Sequence, residues 1–144
     1  MSLISVTRLH LRSQLYLLPF FVYTMRSASQ AKKSRGFRGG TLGADAQRGY
    51  WTVTMWDNEA SMMAFRNGGA HRAAMPRLLG WCDEASFAHY LSDQDALPAA
   101  DEAYRRLQVT GKTSKVRNPS TAHTTGRTVS AGLPRFGLKL NPRV

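Results

Sequence analysis

Residues Tyr50–Trp56 read YWTVTMW, and large or β-favouring side chains occupy both parities of the run. Tyr50, Thr52, Thr54 and Trp56 point one way, and Trp51, Val53 and Met55 the other. A strand of this kind belongs inside a sheet, with cover needed on both faces. Its surroundings fix much of the rest. Asp45 to Gly49 reads as a hairpin turn leading back to a glycine-rich strand over Phe37 to Ala44, expected at an edge or bulged. Asp57 or Asn58 is placed to cap a helix that runs to Arg66. Asn67-Gly68-Gly69 breaks that helix. A second one follows from about Ala70 to Leu79, with Pro76 inside it and Gly80 ending it. Glu84 to Leu91 then alternates as a strand, with Ala85, Phe87, His89 and Leu91 on one face.

Upstream, Leu3 to Arg12 (LISVTRLHLR) reads as a strand whose apolar parity changes after Val6, which suggests a bulge near Arg8. Pro19 suits the first turn of a helix reaching about Ser34, with Phe21, Met25 and Ala28 at helical spacing. Pro98 to Leu107 is a further short helix. The resulting order, β-α-β-β-α-β, predicts an α+β chain with a ferredoxin-like antiparallel sheet and helices on one face. Two helices cannot bury both faces of the Trp51 strand. The uncovered face is therefore expected to meet a second copy, giving a homodimer.

The 144 residues predict one domain over 1–108, followed by an irregular basic tail over 109–144. The formal charge of +11 is concentrated there. Residues 1–102 carry 11 Lys+Arg against 9 Asp+Glu, whereas residues 103–144 carry 9 Lys+Arg and no acid. Lys112, Lys115, Arg117, Arg127, Arg135, Lys139 and Arg143 could neutralise phosphates without reading sequence. Phe136 is the one aromatic residue among them, which gives base stacking little support. The single cysteine, Cys82, excludes an internal disulfide and reads as a buried structural thiol, with Asp83 and Glu84 raising its pKa. Arg8 to Ser29 has the basic, apolar and small-residue regions of a signal peptide. The residues before its apolar run nevertheless read as a strand, and the run is too short to span a bilayer. A cytoplasmic protein without a membrane partner is the expectation.

The stretch WTVTMWDNEASMMAFRNGGAHRAAMPRL, followed by WCDEA, resembles the dimeric α+β barrel superfamily that includes the antibiotic-biosynthesis monooxygenases. It is most similar to an uncharacterised bacterial group in that superfamily, and more weakly to spheroidene monooxygenase-like proteins. The likeness spans about residues 2–92. It implies a ferredoxin-like subunit, a two-fold dimer whose sheets form a barrel, and activities ranging from cofactor-independent oxygenation to haem chemistry. It also implies members without catalysis, so a binding or assembly module on the same barrel is an alternative.

His71 is the sharpest candidate residue. It follows the glycine pair, where backbone can approach a ligand, and an imidazole there could act as base or ligate haem iron. The structural alternative is a histidine that caps the second helix. Met75 lies one helical turn on, and Phe65 and Trp51 could wall a ring system. Arg66 or Asn67 could hold negative charge, against the plainer reading of a solvated helix end. His89 could point into a cavity, with His10 beside it if the first and last strands are neighbours. The expectation is thus catalytic His71, Arg66 and Asn67; a pocket of Trp51, Phe65, Met75 and His89; no metal unless His71 carries haem; and a small apolar or aromatic ligand. There is no phosphate loop, H-E-x-x-H or G-x-S-x-G, so nucleotide-dependent and serine-hydrolase chemistries lose their best support.

Overall fold

The computed structural model describes residues 1–124 and 132–143. The chain forms β1 (Ser2–Leu11), α1 (Leu17–Lys33), β2 (Phe37–Ala44), β3 (Gly49–Trp56), α2 (Glu59–Arg66), α3 (Gly69–Trp81) and β4 (Cys82–Ser92). It continues with α4 (Ala100–Thr110), β5 (Lys112–Thr113), α5 (Thr121–Thr124) and β6 (Arg135–Leu140). The six strands make one sheet in the order β5-β4-β1-β3-β2-β6, with every pairing antiparallel. The inner four strands and helices α1 to α3 are the ferredoxin-like arrangement.

Local chemistry explains most boundaries. The Asn58 side chain accepts the Ser61 N–H at 2.8 Å and starts α2, as expected of an N-cap. The Asp45 N–H bonds the Gly49 carbonyl at 2.9 Å and closes the β2–β3 hairpin. Pro19 sits in the first turn of α1, where its missing N–H is harmless. Pro76 is accommodated inside α3, which continues through Gly80 to Trp81 rather than stopping there.

The expected bulge at Arg8 is absent. Arg8 lies in register between Trp51 and Ser86, and the irregularity falls between His10 and Leu11. The change of parity has another cause: β1 is covered on both faces. Leu3, Ser5, Thr7 and Leu9 face α1 to α3, and Ile4, Val6 and Arg8 face the opposite way. Of the two expectations for β2, the edge fails, because β6 from the tail pairs with it, and the bulge holds, because its register shifts between Phe37 and Gly39 and again between Leu42 and Gly43. In α1 the buried residues are Phe20, Ala28 and Ala31: Ala28 is on the inward stripe as expected, whereas Phe21 is exposed and its neighbour Phe20 takes the inward place.

The largest correction concerns the second sheet face. Ala103 and Leu107 of α4 are buried there against Ile4, Val6, Trp51, Val53 and Met55, and Tyr104 packs on the Trp51 ring. A further helix of the same chain, α4, therefore buries the Trp51 side of the strand, which α1 to α3 leave uncovered. The tail is also more ordered than its composition suggests: it supplies both outer strands.

Cys82 is fully buried in the cluster with Leu11 and Phe20. Burial, reinforced by the Asp83 charge, pushes its thiol up to about 12. A maleimide reagent is expected to label Cys82 only after denaturation. Native labelling at the denatured rate would contradict this packing.

Candidate functional site

A cavity of about 180 Å³ lies between the sheet and the α1–α3 layer. Its floor is a row of cross-strand hydroxyls, Ser5 beside Thr54 and Thr7 beside Thr52, continued by Phe87 and His89 of β4. Its roof includes Tyr23 and Thr24 of α1 and Met75 and Leu78 of α3. Phe65, Arg66 and His71 close one end. Polar residues on the helix-facing parity of β1 and β3 make physical sense only beside such a space, since packing hydroxyls against apolar helices would leave them unbonded.

The α2–α3 junction places His71. Gly69 has φ +54°, a conformation that favours glycine, and an added Cβ would lie 3.0 Å from the Gln30 amide and push it by a few tenths of an ångström. Gln30 of α1 holds the junction with its whole amide. Its Nε2 donates to the carbonyls of Phe65 (3.0 Å) and Gly68 (2.9 Å), and its Oε1 accepts the His71 N–H at 2.7 Å. Nothing in the sequence marked Gln30, because its partners are backbone atoms more than thirty residues away. Gln30→Ala is expected to destabilise the protein by about 1–3 kcal/mol, chiefly by stranding the partly buried His71 N–H, since the Phe65 and Gly68 carbonyls keep the N–H groups of Gly68 and Arg72. It should also raise amide exchange at residues 68–71, and unchanged exchange there would contradict the proposed brace.

His71 Nδ1 lies 3.1 Å from the Arg66 carbonyl, which can only accept, so Nδ1 carries the proton and Nε2 presents a lone pair. Burial, helped by the nearby Arg66 charge, holds its pKa below 6.5. The bond to the carbonyl opposes this only in part. The ring packs on Phe65 at 4.8 Å, and Phe65 packs on Trp56 at 5.1 Å, forming an aromatic wall. His89 packs on Phe87 at 5.2 Å and is likewise held below 6.5, by partial burial and then by the Arg66 charge. Arg66 is the one charged side chain lining the cavity, and it makes no ion pair among the described residues.

The structure therefore brings together Phe65, Arg66, His71, Met75 and His89. Asn67 is exposed, ends α2 through its backbone N–H and does not line the cavity. Trp51 is on the other sheet face, 1% exposed, donating its Nε1–H to Asp45 at 2.8 Å. Trp56, from the same strand, takes the wall position instead. His10 and His89 do not meet. His10 lies opposite Glu84 and His89 opposite Ser5, about 17 Å apart along the sheet. Asp83 and Glu84 have partners that the sequence did not announce: His10 Nδ1 lies 2.6 Å from Asp83, and Arg8 donates to Glu84 at 2.6 Å.

Ser114 and Val116 of the tail also line the cavity. They are held there by backbone bonds from Ser114 to Ala85 and from Arg117 to Leu79, each of 2.8–2.9 Å. The tail cations do not form a single stripe. Lys112 and Lys139 lie on strands at opposite edges of the sheet, about 24 Å apart, and Arg127 lies outside the described residues. That division gives the alternative of phosphate binding along the tail no continuous track among the described residues. His71 Nε2 has the right chemistry for haem iron. The space does not: pockets for drug-sized ligands run from about 300 to 1,000 Å³, and a porphyrin exceeds the cavity described here.

No protein-family model matches the chain, and no curated protein matches its sequence. Solved structures do match. SnoaB, a cofactor-independent oxygenase from Streptomyces nogalater, is 15% identical with a TM-score of 0.55, covering 68% of this chain and 98% of its own. Rv0793 from Mycobacterium tuberculosis is 8% identical with a TM-score of 0.61, covering 67% and 99%. A dimeric ferredoxin-like protein of unknown function from Thermobifida fusca is 12% identical with a TM-score of 0.54, covering 64% and 92%. At these identities the likeness is one of fold.

Proposed function

We propose that this chain, which shares its ferredoxin-like fold with monooxygenases of the antibiotic-biosynthesis type, binds a small ionisable aromatic molecule and oxygenates it. The observation that carries this reading is His71. Its protonated Nδ1 is held by the Arg66 carbonyl, and its neutral Nε2 lines an aromatic cavity whose one charged side chain is the Arg66 guanidinium. A base and a cation in a largely apolar space suit a substrate that becomes an anion only while it reacts. The cavity resembles in size the engineered apolar cavity of about 150 Å³ that takes benzene, which favours one or two rings over a large polycycle.

The substrate class is an activated ring methylene beside an aromatic ketone or phenol. His71 Nε2 takes one C–H proton, and the electron pair delocalises onto the ring oxygen, held near Arg66. Molecular oxygen adds at the carbon, and the proton returns from His71 to the outer oxygen to give a hydroperoxide. Loss of water breaks the O–O bond and the remaining C–H bond, leaving a carbonyl. One oxygen atom enters the product and one enters water, and the substrate supplies the electrons.

Oxygen uptake measured with two-ring compounds of the naphthol and tetralone type tests the reading. Uptake that saturates with substrate and yields the ketone or quinone is expected. Binding without uptake across the panel would replace the oxygenase with a non-catalytic binding module. No helix among the described residues is long and apolar enough to cross a membrane. A homodimer belongs to the same reading, supported by the dimeric ferredoxin-like protein that shares the fold.

A further inference from the structure

We infer that the outer surface of the α1–α3 layer docks onto an anionic lipid bilayer. The first half of α1 turns a stripe of apolar side chains to solvent: Leu18 is 73% exposed and Phe21 58%, with Val22 beside them and Leu15 just before the helix. Such side chains stay in water at a cost unless something covers them. What surrounds them identifies the partner. Residues 1–44 contain seven Lys+Arg and no Asp or Glu, and residues 60–82 contain three Arg and no acid. The exposed cations Arg26 and Lys33 on α1, and Arg72 and Arg77 on α3, therefore meet no carboxylate on their own helices. Arg26 and Arg77 both lie over the Tyr23 ring, at 5.7 and 5.3 Å, which draws their charge toward the stripe. The exposed acids lie elsewhere: Asp93, Asp95 and Asp101 around α4, and Asp57 and Glu59 at the N-terminal end of α2.

An exposed apolar stripe flanked by the cations of α1 and α3, helices that carry no acid, has the composition of a helix that lies in a membrane interface. Its apolar side chains enter the acyl boundary while lysines and arginines meet acidic headgroups. A second copy fits this surface poorly. A two-fold contact through α1 would add four more cations, Arg26 and Lys33 of each chain, with no carboxylate on either α1 to neutralise them.

The test is co-sedimentation of the full chain with vesicles of phosphatidylcholine alone and of phosphatidylcholine mixed with phosphatidylglycerol. Binding to the mixed vesicles and not to the neutral ones is expected, weakening as NaCl rises from about 50 to about 500 mM. The double variant L18S/F21S changes two exposed positions, so circular dichroism should be unaltered while binding falls about tenfold or more. R26E/K33E should fall as far. The inference is overturned if the mixed vesicles do not bind, or if both variants bind like the parent chain, which would place the contact on the tail. It is also overturned if equilibrium sedimentation shows a dimer that L18S/F21S dissociates, which would give the stripe to a second copy.

Discussion

Replacing His71 with alanine is expected to lower the rate of oxygen uptake by about 10²–10⁴-fold, the usual contribution of a positioned general base. The ring is not a major support of the fold: its Nδ1 bond reaches one carbonyl, and its backbone N–H remains held by Gln30. Stability should therefore change little beside the loss of rate. The pH dependence is a sharper check. The base works when neutral, and burial together with the Arg66 charge holds His71 below 6.5. The acid limb of kcat/KM is accordingly expected below pH 6.5, with activity lost as pH falls through that limb, and it should vanish in His71→Ala. Arg66→Gln should raise the His71 value and move the limb upward, because the nearby positive charge helps depress it. A pH profile in His71→Ala with the parent's limb would assign the base elsewhere, with His89 the next residue to test.

How far this site was legible in the sequence depends on which forces shaped each part. The Gly-Gly break followed by His71 was readable because backbone conformation alone favours glycine there, and φ +54° at Gly69 bears that out. Asn58 and the hairpin at Asp45 were readable for the same local reason. The choice between Trp51 and Trp56 was not. Alternation puts them on opposite faces, but which face holds a cavity depends on α4, and α4 lies more than forty residues downstream. Composition made the tail look irregular. Its order comes from pairing with β2 and β4, whose free edges a local reading cannot see. The hydroxyl row of Ser5, Thr7, Thr52 and Thr54 was a visible signal in hindsight, since polar residues on a helix-facing parity mark space that packing leaves open.

Asp45→Ala is expected to be among the most destabilising single changes in the chain, costing about 3–5 kcal/mol. Arg8 is 1% exposed on the α4 side of the sheet, and the Asp45 carboxylate is its buried partner at 2.7 Å. That carboxylate is fully used: Oδ2 accepts from Arg8 and Trp51, and Oδ1 accepts the N–H groups of Gln47 and Gly49. Gly49 has no alternative, because a Cβ there would come within 2.4 Å of both members of the pair. Removing the acid leaves a buried guanidinium with Glu84 alone and strands the Trp51 N–H. Burial by itself would raise the Asp45 pKa. The bonds from Arg8, Trp51 and the Gly49 backbone outweigh it and hold the group below its ordinary value of 3.8. The sign of the linkage follows. The stabilisation is fully present above the unfolded value and is lost as pH falls through the lower folded one, so stability rises with pH across that window. Urea titrations at pH 7 and near pH 3 should therefore differ less for Asp45→Ala than for the parent chain. The double change Arg8→Met with Asp45→Ala should recover part of the loss, because it removes the fully buried guanidinium and leaves only Glu84, which reaches solvent and keeps the Ser120 hydroxyl. A loss under about 1 kcal/mol in the single variant would mean that Glu84 alone satisfies Arg8 and that Asp45 serves mainly as a turn residue.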